Sequence, residues 1–350
     1  MGVPQNPFRL VHFHDQDDFL NATRPYDDGY MNYIVGTVLD NADQSPAGVN
    51  ARERWGGGPQ AFLGVYRGDE LVLTTAKLAI NFSWLIAAPR GTKQPLQSSE
   101  VHTAVLLMVS YLPSVIDTTT VDQLLGEEVL VNAFLGCWVD HMTGLGSSVK
   151  LLDTMARTRV AYATLATIPE PNPALAHHRM VRPTLSDAEE IAQLYVQFGG
   201  TSPVAGTLER GRGIMAGAIQ SRRLWICKDG DIIVGFILIA RMTPRTVSIK
   251  QVFVSPSHRR RGIAEAMVRT LSRFFLGAHP SGLEGSDGTD YEPEGGIRDA
   301  VCLNVGEEEA ARVYVKAGFL LGAKDPVTGR DGWYPSSWRG VEYLDALSQV

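Results

Sequence analysis

The sequence predicts an α/β fold with mixed (α+β) sheets, arranged as two domains in tandem. Three observations lead there. Residues 251–268, QVFVSPSHRRRGIAEAMV, read as a strand, a basic turn and a helix in immediate succession. The proline-rich stretch TIPEPNPALAHHR at 167–179 separates two halves of related strand and helix order. A length of 350 residues exceeds one ordinary domain and allows two sizeable cores.

In the first half the strand FRLVHF is followed by helices over roughly 15 to 38. The hairpin AFLGVYRGDELVLTTAKLAI turns at Arg67 to Asp69. A helix near 98 to 111, a strand near PSVID, a helix from about Val121 to Met142 and the strand RVAYATLA complete it. Past the linker, a short strand at Met180 to Arg182 leads to an N-cap at Ser186 or Asp187. The helix that follows carries Ile191, Leu194, Tyr195 and Phe198 on one side. A second helix spans about Leu208 to Ser221, and two strands then meet at Asp229-Gly230, a hairpin signal. The strand TVSIKQVFV and the basic turn come next. Ile263, Ala266, Met267, Thr270, Leu271 and Phe274 recur at helical spacing after it. Residues 277–299 are rich in Gly, Ser, Pro and acid and read as a mobile loop. AVCLNV is a buried-type strand, EEEAARVYVKAGF a helix closed by Gly318, and a last strand lies near Val341 to Leu344. The shared order suggests an internal duplication, with domains at 1–168 and 180–350 and a linker at 169–179.

Composition narrows the function. A net charge of -6, from 32 basic and 38 acidic side chains, argues against a nucleic-acid partner. Cys137, Cys227 and Cys302 are far apart and suit neither a disulfide framework nor a zinc site, and no metal is expected. The first twenty residues have no secretory pattern, and the most apolar stretch, TAVLLMVSYLPSVI, is short for a membrane helix and contains proline. The expectation is a cytosolic protein with no membrane partner.

The basic turn has a chemistry of its own. A helix N-terminus exposes unpaired N–H groups and an electropositive dipole end, and so suits phosphate. Gly262 lets an anion reach the backbone, Ala264 keeps the next turn small, and Arg259, Arg260 and Arg261 add cationic donors. An ordinary strand-helix junction with a solvated basic turn is the alternative for the arginine run taken alone.

Arg259-x-x-Gly262-x-Ala264 after a strand ending V-x-V-x-P, with AARVYVKAGF some fifty residues later, resembles the Gcn5-related N-acetyltransferase (GNAT) superfamily. The whole chain is similar to its tandem type, in which a degenerate GNAT-like half precedes a catalytic one. The resemblance implies acetyl-CoA as co-substrate and an amine as acceptor. It implies that the backbone from Arg260 through Gly262, Ile263 and Ala264 to Glu265 cradles the pyrophosphate, and that Val252, Phe253 and Val254 hold the pantetheine arm and thioester. Tyr314 takes the place of the general acid. The general base is unassigned: the strand offers Lys250 and Gln251, His258 lies in the turn, and Glu209 is an unsupported candidate. The family's asparagine before the tyrosine helix is replaced by Glu307 or Glu308, with Asn304 nearby.

In the first half Gln123-x-x-Gly126 is followed by Glu128 where the signature needs Gly or Ala. With Glu127 it would repel a diphosphate, so no acyl-CoA is expected there. Amine contacts are expected from the 201–213 connection, and Glu284, Asp287, Asp290, Glu292 and Glu294 form an acidic insertion that either attracts a cationic substrate or is simply solvated. The implied activity is acyl-CoA-dependent N-acyl transfer to a small-molecule primary amine. A non-catalytic acyl-CoA sensor or scaffold and a protein-lysine acetyltransferase are the alternatives, and the oligomeric state is open.

Overall fold

The computed structural model describes residues 7–42, 56–199, 207–279, 281–283 and 292–344, which divide into two compact units. The first takes the described residues up to Val38, 56–158 and those from Tyr334 onward; the second takes 39–42 and 159–333.

In the first unit β1 (Phe8–Phe13), β2 (Ala61–Arg67), β3 (Glu70–Lys77) and β4 (Trp84–Ala87) pair antiparallel in turn. β4 then pairs parallel with β5 (Gln123–Glu127), and β5 antiparallel with the last strand of the chain, β13 (Trp333–Tyr343). The short β6 (Val149–Leu151) also pairs with β13. The helices are α1 (Gln16–Thr23), α2 (Asn32–Ala42), α3 (Ser98–Tyr111) and α4 (Glu128–Gly144). Leu63, Val65, Trp84, Val105, Met108, Phe134 and Trp138 fill the core between sheet and helices.

The second unit repeats that pairing scheme. β8 (Arg179–Val181), β9 (Leu224–Asp229), β10 (Ile232–Ala240) and β11 (Thr246–Val254) pair antiparallel in turn. β11 pairs parallel with β12 (Ala300–Val305), and β12 antiparallel with β7 (Ala156–Ala163). Its helices are α5 (Ala188–Gly199), α6 (Leu208–Gln220), α7 (Ile263–Phe275) and α8 (Glu308–Lys316). Both hairpins fall where glycine follows a polar residue: Gly68 and Gly230 sit at φ +57° and +61°, which a side chain resists.

The strand order corrects the sequence boundaries. The compact units follow other bounds than 169–179: β7 pairs with β12 of the second unit, and β13 pairs with β5 of the first. Residues near PSVID form no strand; α3 runs into 3₁₀ turns at Leu112–Ser114 and Thr118–Thr120, where Pro113 and the Asp117 cap fix the chain. The helix expected from Val121 begins only at Glu128, since the preceding residues alternate in burial as a strand does. Where the sequence predicts an N-cap at Ser186 or Asp187, Leu185–Asp187 form a 3₁₀ turn ahead of the helix at Ala188, and Thr184 caps that turn with Asp187 closing a capping box. Of the amine-loop expectations, 201–206 and 284–291 lie outside the described residues.

The linker is not a free spacer. Pro173–Leu175 form a 3₁₀ turn, and the segment runs along α7: Arg273 donates to the Pro169 carbonyl (2.9 Å) and the His279 carbonyl (3.1 Å), Arg269 to the Glu170 carbonyl (3.3 Å). Arg273 is only 6% exposed. Replacing it with methionine keeps the buried stem and removes the donors, so urea unfolding is expected to show a loss of about 1.5–3 kcal/mol.

Candidate functional site

The parallel pairing of β11 with β12 covers Thr246↔Ala300 to Ile249↔Leu303 and stops. β11 continues to Val254 paired only with β10, so Val252, Phe253 and Val254 lie beyond the point where the two strands part. A bulge helps: Leu238 faces Gln251 and Ile239 faces Ile249, leaving Lys250 as the extra residue. Phe253 packs with the α5 and α6 side chains Ile191, Leu194 and Met215, whereas Val252 and Val254 pack with α7 residues Met267 and Leu271. The parted strands therefore open between two differently covered faces.

At the end of β11 the chain turns into α7 through Ser255 to Gly262. His258 Nδ1 meets the Ser255 and Ser257 hydroxyls at 2.8 and 2.9 Å, which commits the ring to the turn. Arg260 adopts φ +62° and Gly262 φ +82°. Gly262 is the N-cap of α7 and offers no capping side chain. Among the described residues no protein acceptor takes the amides of residues 260–265, and the first helical bond is Ala266 N–H to the Gly262 carbonyl at 2.9 Å. This is an open, glycine-led anion cradle.

The three arginines differ. Arg259 folds back, its Nε donating to the Val254 carbonyl (3.2 Å) with the guanidinium 5.7 Å from the Phe253 ring centre. Arg261 reaches the Ser257 carbonyl (3.4 Å) and Asp229 (3.7 Å). Arg260 is exposed and its side chain meets no partner among the described residues. Ile263 is buried in the core, Ala264 packs against it, and the Glu265 side chain turns to Arg269 (2.9 Å) and Lys316 (3.9 Å). Only the backbone of these three is left for a ligand.

Tyr314 lies on α8 among the side chains that pack with α7, its ring edge-on to Phe319 at 5.9 Å. Burial pushes its hydroxyl pKa up to about 12, so the phenol is a proton donor at neutral pH. Gly318 ends the helix at φ +96°, where a Cβ would meet the Thr167 carbonyl at 2.5 Å. Glu307 stands at the N-cap position of α8 without a side-chain capping bond, and Glu308 pairs with Arg159 at 2.6 Å. Asn304 faces Val160 of β7 at the end of β12.

Residues 220–320, which contain the parted strands, the cradle and Tyr314, match the model of the acetyltransferase (GNAT) domain. This segment is a GNAT domain. A search of curated proteins returned no match. Among solved structures, a GCN5-related N-acetyltransferase from Sphaerobacter thermophilus is 15% identical, with 98% of this chain and 97% of that one covered at a TM-score of 0.46. A GNAT-family acetyltransferase from Colwellia psychrerythraea is 12% identical, covering 95% and 99% at 0.44. A tandem GNAT protein from the clavulanic acid biosynthesis pathway is 10% identical, covering 96% and 98% at 0.40.

The first unit shows what the GNAT domain has and its counterpart lacks. By strand order, the equivalent of the cradle is the β4–α3 connection, residues 88–97. There Gln97 and Glu100 form a capping box, Glu100 accepting from the Gln97 amide at 2.9 Å, and Arg67 pairs with Glu100 at 2.5 Å. The helix end is closed by the chain's own carboxylate. The Gln123-x-x-Gly126-x-Glu128 segment is a correction to the sequence match: it lies in β5 and the first residue of α4. Gly126 is required because a Cβ would meet the Ile86 carbonyl at 2.2 Å, and Glu127 is held by Arg90 at 2.6 Å.

Sequence reasoning missed the linker's contacts with the turn. His178 Nε2 lies 2.8 Å from the Arg261 carbonyl, and a Cβ on Gly262 would meet Leu175 Cδ2 at 2.6 Å. Nothing in a proline-rich spacer announces such contacts. His178→Ala is expected to leave the fold intact and to weaken binding of an acyl-CoA at the turn about tenfold, the worth of one hydrogen bond, as calorimetry would measure.

Proposed function

We propose that the GNAT domain transfers an acetyl group from acetyl-CoA to a primary amine of a small molecule. The observation that carries this reading is the open cradle at 260–265 beside strands that part after Ile249 and Leu303. The cradle suits a diphosphate, and the freed edge of β11 at Val252 to Val254 suits an amide-bearing arm and a thioester carbonyl.

The amine nitrogen attacks the thioester carbonyl directly. A nitrogen–carbon bond forms, the carbon–sulfur bond breaks, Tyr314 supplies a proton to the departing thiolate, and the nitrogen's proton leaves to solvent. Tyr314 then regains a proton from water. The buried, protonated state of this phenol supports the acid role. Where no protein nucleophile is needed, the three buried cysteines, none of them in a disulfide, are core residues, and they suit a reducing, cytoplasmic setting. No described helix is long and apolar enough to cross a membrane.

The test is release of free CoA thiol from acetyl-CoA by the full chain across a panel of amines. Amine-dependent release with a matching acetylated product supports the proposal. Tight binding without turnover of any amine or lysine peptide would leave the sensor reading in its place.

A further inference from the structure

We infer, building on the acyl-transfer reading, that the acceptor is a weakly basic amine such as an arylamine or a hydrazide, neutral at pH 7 and held by Gln251. The diphosphate cradle and Tyr314 lie with the α7 side of the sheet, the side of Val252 and Val254. An acceptor must reach the thioester from the other side, where Phe253 faces α5 and α6. Gln251 shares that side with Phe253 by strand alternation, opposite Leu238 of the same cluster, two residues past the last β11–β12 pair.

The Gln251 Oε1 atom is buried and has no hydrogen-bond partner among the described residues. A buried carbonyl oxygen left unpaired is unfavourable, so its position is one that a ligand N–H would satisfy. The carboxamide can hold that N–H but cannot take a proton.

Among the described residues the nearby carboxylates are engaged or exposed. β10, β11 and β12 contain no carboxylate. On the helices over this side, Glu189 is engaged by Arg212 (2.6 Å), Glu190 accepts from the Ile233 amide (3.0 Å), and Glu209 is exposed. Asp187 is held by Lys228 at 3.4 Å. An alkylamine with a lysine-like pKa near ~10.4 is neutral in roughly one molecule in 2,500 at pH 7. With no carboxylate on the described strands and the acids of the described helices engaged or exposed, the ammonium form is disfavoured. An arylamine or hydrazide arrives neutral, and once its nitrogen is acylated in the tetrahedral adduct the N–H is acidic enough to pass to water unaided. The wall suits such a molecule: Phe253 lies 5.9 Å from Phe236 and 6.1 Å from Phe198, the latter pair edge to face.

The experiment compares an aniline, benzoic hydrazide and phenethylamine as acceptors, with acetyl-CoA and the full chain, from pH 6 to 9. Wild type is expected to favour the aniline or hydrazide roughly tenfold or more in kcat/KM at pH 7, with a flat pH profile. Gln251→Glu is expected to shift preference toward phenethylamine, and Gln251→Met to lower kcat/KM for the weak amines about tenfold while the acetyl-CoA Kd is unchanged. Phenethylamine preferred by wild type, Gln251→Met without effect, or acetyl-CoA bound with neither weak amine acetylated would each overturn the inference. Failure to bind acetyl-CoA at all would sink the acyl-transfer reading beneath it.

Discussion

Gly262→Glu is expected to cut acetyl-CoA affinity about 100-fold or more. Gly262 is at φ +82°, where a side chain is strained, and its new Cβ would lie 2.6 Å from Leu175 Cδ2. The carboxylate would also stand at the electropositive helix end and repel the diphosphate that the end would hold. Calorimetric titration reads the loss, and urea unfolding of the ligand-free variant separates it from misfolding. Gly262→Asn with Leu175→Ala relieves the overlap and supplies a residue that tolerates positive φ, so this pair is expected to keep most of the affinity. Equal loss in both variants would mean that shape, not charge at the cradle, decides binding.

The second large effect concerns Tyr314. Tyr314→Phe keeps the ring against Phe319, 5.9 Å away, and removes only the hydroxyl. kcat is expected to fall about 10²-fold or more while acetyl-CoA affinity holds. The pH dependence follows from the raised pKa of about 12. The phenol stays protonated through the ordinary working range, so wild-type kcat should show no alkaline decline from this group below about pH 11. For stability the folded pKa lies above the unfolded value of about 10, so the contribution is whole below pH 10 and is lost as pH rises through 12. A kcat unchanged by the substitution would make Tyr314 a packing residue.

Much of the second unit was legible because its signals are local. Asp229-Gly230 placed one hairpin, the three- and four-residue spacing from Ile263 placed α7, and Gly262 with its arginines marked the junction between strand and helix. Less local features escaped. That β7 pairs with β12 and β13 with β5 joins residues far apart in the chain, which periodicity does not report. In the first unit a glycine at Gly126 resembled a phosphate signature because two demands, close approach of a neighbouring strand and approach of an anion, select the same residue. The geometry distinguishes them: β4 lies against Gly126, whereas among the described residues no side chain caps the α7 amides at Gly262. The contacts of Leu175 and His178 with the turn depend on how the linker folds back, and its prolines speak only of extended backbone.

Hydrogen-deuterium exchange on the intact chain, with and without acetyl-CoA, tests the central claim most directly. Binding at the cradle predicts new protection in peptides covering 252–254 and 260–265, with none at the capped β4–α3 connection, 88–97. Protection confined to 88–97, or none in either segment at saturating acetyl-CoA, would contradict it.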